Sequence, residues 1–78
     1  MSVTVLYFAS LRDAAGRDSE SLPVPASLGA LYAELRERHG FALPAEKLRV
    51  AVDGAFAPWD APVADGCEIA FIPPVSGG

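Results

Sequence analysis

Val3-Thr4-Val5-Leu6-Tyr7-Phe8-Ala9 is an unbroken run of β-branched, aromatic and aliphatic residues. Apolar side chains on both faces of such a run predict a central strand. Ser10 to Gly16 holds helix formers after a Ser and ends in Gly, which predicts a short helical turn or loop. Ser19 to Val24 alternates weakly through Glu20, Leu22 and Val24, and Pro23 restricts it to a sheet edge. The clearest periodicity spans Leu28 to His39. Leu28, Leu31, Tyr32 and Leu35 recur at i, i+3, i+4 and i+7 and predict one apolar helix stripe. Ser27 is placed to cap its start, and Gly40 to end it in a left-handed conformation.

Leu48-Arg49-Val50-Ala51-Val52 alternates as a strand. Asp53-Gly54 is a two-residue hairpin signal, so Ala55-Phe56-Ala57 is a short returning strand closed by Pro58. Trp59 to Asp65 reads as loop, Asp65-Gly66 as a turn, and Cys67 to Ile72 as the last strand. One main helix among four or five strands is an α+β layer arrangement. This order suggests a β-grasp, ubiquitin-like mixed sheet with the helix on one face. The domain would cover 1–72, with 73–78 as an extended C-terminal tail.

Composition narrows the function. Seventy-eight residues allow one small domain with little chain to spare for a walled enzyme pocket. A net charge of −4 speaks against nucleic acid and favours a basic protein partner. The single cysteine, Cys67, excludes an internal disulfide and any Cys-pair metal or redox site. A small secreted domain would usually need such staples, so a cytoplasmic home is expected. Nothing resembles a membrane span or a signal peptide. The acidic residues are scattered and His39 stands alone, so no metal is expected.

The tail is either a frayed terminus, where small and polar residues collect, or a projected segment that carries the chemistry. Pro73 and Pro74 end ladder pairing and stiffen the exit, and Gly77 and Gly78 carry no side chains. Six extended residues reach roughly 20 Å. A carboxylate is a poor electrophile because its leaving group is oxide. Conversion to an acyl-adenylate supplies a good one, and a sulfur nucleophile then displaces AMP to leave a thiocarboxylate. Such steps need the substrate end in a narrow channel, which Gly77 and Gly78 would enter.

These residues resemble a known family, the small subunit of molybdopterin synthase. The likeness runs through Val5-Leu6-Tyr7-Phe8-Ala9, Leu11 to Gly16, Val50 to Gly54, and above all Asp65 to Gly78 with its Pro-Pro-Val-Ser-Gly-Gly ending. Asp53 stands where the family pattern has Asn, and Cys67 where it has Asp. The resemblance implies a sulfur carrier. A partner adenylating enzyme uses ATP on Gly78, and a sulfur-donating enzyme supplies the sulfur of the thiocarboxylate. The tail, Pro73, Pro74, Val75, Ser76 and Gly77, then enters the large subunit, in a heterotetramer of two small and two large subunits. There the sulfur attacks cyclic pyranopterin monophosphate to build the dithiolene. No cofactor would be permanently bound, and the chain would be a sulfur-donor subunit rather than an enzyme alone.

Strand alternation places Leu6, Phe8, Ala70 and Ile72 on the open face near the tail, joined by Phe56. The resemblance points to Phe8, Arg12, Phe56 and Ile72 as partner contacts. Cys67 reads as a small core hydrophobe, His39 as a helix C-terminal cation and Trp59 as loop packing. Three rivals stay open: the thiocarboxylate carrier of thiamine thiazole synthesis, a covalent protein modifier, and a non-covalent β-grasp interaction module with an inert tail.

Overall fold

A computed structural model describes residues 1–74. Strand β1 (Ser2–Tyr7) leads into helix α1 (Ala9–Ala15) and strand β2 (Ser19–Pro23). Helix α2 (Leu28–His39) follows, then a 3-10 turn (Ala45–Lys47) and strands β3 (Arg49–Val52), β4 (Ala55–Ala57) and β5 (Glu68–Ile72). The strands form one sheet in the order β2-β1-β5-β3-β4. The central β1–β5 pair is parallel and the others are antiparallel. The β2 segment lies at an edge, where Pro23 removes no needed donor.

Side chains sort by pleat. Val3, Val5, Tyr7, Val50, Ile69 and Phe71 pack in one buried cluster with Leu28, Leu31, Tyr32 and Leu35 of α2. The i, i+3, i+4, i+7 stripe is thus the buried helix face. Ser27 accepts the Ala30 N–H at 3.0 Å, and Gly40 ends the helix at φ 73°. At the hairpin, Asp53 and Gly54 have φ of 51° and 85°, the left-handed pair that a two-residue turn on twisted strands requires.

Several boundaries differ from the pattern reading. The first strand ends at Tyr7, not Ala9. Phe8 becomes the extended residue before α1, and its carbonyl accepts the Leu11 N–H at 3.1 Å. Burying Leu11 rewards this early turn. The second strand stops at Pro23, leaving Val24 exposed, and the last begins at Glu68. The 3-10 turn has no hydrophobic period to announce it. It forms after Pro44, whose carbonyl accepts the Lys47 N–H at 3.0 Å.

Cys67 is buried, as its position on the core side implies. Trp59 stacks on Phe71 with ring centroids 5.8 Å apart and meets Tyr32 edge-on. No helix of the described residues is long and apolar enough to cross a membrane.

Candidate functional site at the root of the tail

Strand β5 delivers the chain to Ile72, and Pro73 and Pro74 follow without strand pairing. An apolar groove of about 860 Å³ opens at this exit. Phe8, Ala9 and Ser10 form one wall, Ala42 and Leu43 another, and Ile72, Pro73 and Pro74 a third.

Each wall has a local cause. Ala9 adopts φ 50°, a left-handed conformation that costs a non-glycine residue about 1 kcal/mol. This turn breaks the strand and leaves Phe8 43% exposed at the rim. The Ala42–Leu43 wall is held from α2. Arg36 donates to the carbonyls of Phe41 and Ala42 at 3.1 and 3.3 Å, and the Tyr32 hydroxyl donates to the Leu43 carbonyl at 2.6 Å. Burial, partly offset by the Arg36 charge, raises the Tyr32 pKa and keeps that hydroxyl a donor.

A second polar network gathers on Glu20 and takes in Tyr7, which is paired in register with Phe71. The Tyr7 hydroxyl donates to Glu20 Oε1 at 2.7 Å, and His39 Nε2 lies 3.1 Å from the same oxygen. Arg38 donates to Glu20 Oε2 at 3.3 Å, and Arg17 stands 3.9 Å from it. Burial raises the Tyr7 pKa, and the hydrogen bond to Glu20 adds to the rise. Burial also pushes Glu20 up, but the hydrogen bonds from Tyr7 and His39 and the charges of His39 and Arg17 outweigh it, and the net shift is down. His39 thus does more than sit as a C-terminal cation: it ties the end of α2 to the edge strand.

Phe8, Ile72, Pro73 and Pro74 therefore share one groove. Phe56 does not line it. Phe56 is 65% exposed on the open sheet face, in the cross-strand row Phe56, Ala51, Ala70, Leu6. Arg12 is exposed on α1, 3.9 Å from Asp18, and is not among the groove walls. Leu6 is only half-buried, and Ala70 is buried rather than exposed. Ala70 sits on the central strand β5 between Leu6 and Ala51, and so short a side chain there is covered even on an open face. Val75, Ser76, Gly77 and Gly78 lie outside the described residues.

The sequence reading missed the Ala42–Leu43 wall. Its only signal was two apolar residues before Pro44, and their fixing by Tyr32 and Arg36 depends on how the chain folds back on the end of α2, which no periodicity announces. Among the described residues, no group of His, Cys, Asp and Glu is placed to hold a metal ion.

A parallel central pair, an antiparallel hairpin at its side and one long helix across the sheet define a β-grasp domain of the ubiquitin-like kind. The model of the ThiS family matches residues 5–78, and the chain belongs to that family. It is 36% identical over 80 residues to the molybdopterin synthase sulfur carrier subunit of Escherichia coli (strain K12), covering 97% of this chain and 99% of that one. The structure of SAMP1, a small archaeal modifier protein from Haloferax volcanii, matches with a TM-score of 0.81 at 28% identity, covering 100% of both chains. The complex of subunits 1 and 2 of the molybdopterin-converting factor from Helicobacter pylori holds a chain that matches with a TM-score of 0.71 at 25% identity, again covering 100% of both.

Proposed function

We propose that this chain is the sulfur carrier subunit of a molybdopterin synthase. The observation that carries the reading is the Pro-Pro-Val-Ser-Gly-Gly run continuing from the central strand at an apolar groove, in a chain like the E. coli carrier over nearly its whole length.

A Gly78 carboxylate oxygen attacks the α-phosphorus of ATP on an adenylating enzyme, and pyrophosphate leaves. The terminal sulfur of a persulfide donor then displaces AMP to give an acyl disulfide, and a thiol cleaves its S–S bond, leaving the Gly78 thiocarboxylate and a disulfide on the donor side. The carrier next docks on a large subunit through the groove and the open sheet face, with Phe8, Arg12, Phe56 and Ile72 as contacts. Pro73 to Gly77 lead the thiocarboxylate into that subunit's site, where its sulfur attacks cyclic pyranopterin monophosphate. Two transfers complete one dithiolene, which fits an assembly of two small and two large subunits. Gly78 is the only covalent participant on this chain. The expected setting is the cytoplasm, with ATP consumed by the partner and no cofactor held here.

The test is reconstitution. Thiocarboxylated chain, large subunit and cyclic pyranopterin monophosphate should yield molybdopterin, whereas chain lacking Gly78 should yield none. Failure of the loaded chain to support conversion, with a large subunit that works with its own carrier, sinks the assignment. A second reading, a covalent protein modifier, has the likeness to the Haloferax modifier in its favour. It calls for the same activated Gly78 but a lysine amine as acceptor, so covalent adducts on other proteins would favour it.

A further inference from the structure

The arginines of this chain are not equivalent. Arg17 and Arg38 face Glu20, Arg12 faces Asp18, and Arg36 donates to backbone carbonyls. Among the described residues, the Arg49 guanidinium has no hydrogen-bond or ion-pair partner. It lies over the Phe56 ring, 5.4 Å from the centroid. Cation–π attraction holds the guanidinium near the ring face, and the exposed side chain keeps its N–H donors available.

Its place in the sheet matters. Arg49 is exposed and paired in register with Ile72, the last residue of β5 before the tail. A protein that takes the tail and seats on the open face covers Arg49. An unpaired guanidinium trapped in that way is costly, so the covering surface must supply an anion. At the other end of the same face, Asp53 and Glu68 are exposed acids beside the hairpin turn. An acidic group on the partner is therefore attracted at the tail end and repelled at the far end.

We infer that Arg49, held by Phe56, receives an Asp or Glu carboxylate of the large subunit and fixes the orientation in which that subunit docks. The inference rests on the docking reading above and names the partner's chemistry at one point of that surface. Because chain charge is −4, an acidic group on an otherwise basic partner has few other places to land.

The experiment measures the Kd of the full chain for its cognate large subunit by calorimetry, at low and high salt. Arg49→Met should raise Kd about tenfold, the lower end for close charge pairs across an interface. It should also flatten the salt dependence. Arg49→Glu should weaken binding further, and one Asp→Arg or Glu→Arg change on the large subunit should restore it. Arg49→Lys should bind more weakly than the native chain, since it keeps charge but loses the stacked fork. Thermal unfolding of the variants should match the native chain, because Arg49 is exposed. Native binding with unaltered Kd and salt dependence in Arg49→Met and Arg49→Glu, while Phe8→Asp binds weakly, overturns the Arg49 inference alone. No binding by the native chain overturns the docking reading and this inference with it.

Discussion

Tyr7 and Glu20, 13 residues apart in sequence, meet through a 2.7 Å hydrogen bond joining the end of β1 to the edge strand β2. The donor is the tyrosine hydroxyl, so the bond needs a protonated phenol and is strongest to an ionised carboxylate. Burial raises the Tyr7 pKa and the bond adds to the rise, while for Glu20 burial pushes up but the bonds from Tyr7 and His39 and the nearby positive charges bring the net shift down.

Stability should therefore fall at both pH extremes. A carboxyl held below its ordinary 4.5 contributes stability that is present above that value and lost as pH drops through the folded pKa. A phenol held above its ordinary 10.0 contributes stability that is present below that value and lost as pH climbs through the folded pKa. Glu20→Gln should cost about 1–2 kcal/mol at neutral pH and give a shallower acid limb. Urea unfolding across pH measures both, and an acid limb as steep as the native one would assign the loss to other carboxylates.

The Asp53-Gly54 turn should be sensitive out of proportion to its exposure. Gly54 sits at φ 85° with open space where a Cβ would project, so Gly54→Ala carries backbone strain without a clash. A loss of about 1 kcal/mol is expected. Asp53→Ala should also destabilise, since Asp53 Oδ1 accepts the Glu68 N–H at 2.9 Å. Unchanged denaturation midpoints in both variants would mean that the hairpin tolerates another turn.

Core truncation should weigh more. Leu35 is fully buried on the sheet-facing side of α2. Leu35→Ala should cost about 3 kcal/mol, a large share of the stability available to so small a domain. Thermal unfolding should show the shift, and a loss under about 1 kcal/mol would mean that the helix re-packs.

Much of this architecture was legible because it is periodic. The helix from Leu28 to His39, its caps and the Asp53-Gly54 hairpin depend on neighbours in sequence, and the structure places them where the pattern did. What was not legible depends on register. The Glu20 network, the hold of Tyr32 and Arg36 on Leu43 and Ala42, and the Arg49–Phe56 stack each join residues that no local spacing relates. Phe8 was read as exposed through strand alternation. It is exposed because the chain leaves the sheet there and turns at Ala9.

Phe8 gives the direct test of the groove as a docking surface. Its exposed position at the rim allows Phe8→Asp without disturbing the core. Association with the large subunit should weaken by about tenfold or more, at unchanged thermal stability. Equal affinity would place the docking surface elsewhere.

Activation of the tail is most directly tested by intact mass. The chain is incubated with ATP, its adenylating enzyme and a sulfur donor, then weighed whole and as its C-terminal peptide. Replacement of one oxygen by sulfur at Gly78 should add about 16 Da to that peptide, with no gain in a chain lacking Gly78. An unchanged mass, with enzymes that load another carrier in the same tube, would contradict a sulfur-carrying role and leave a β-grasp module that acts by contact alone.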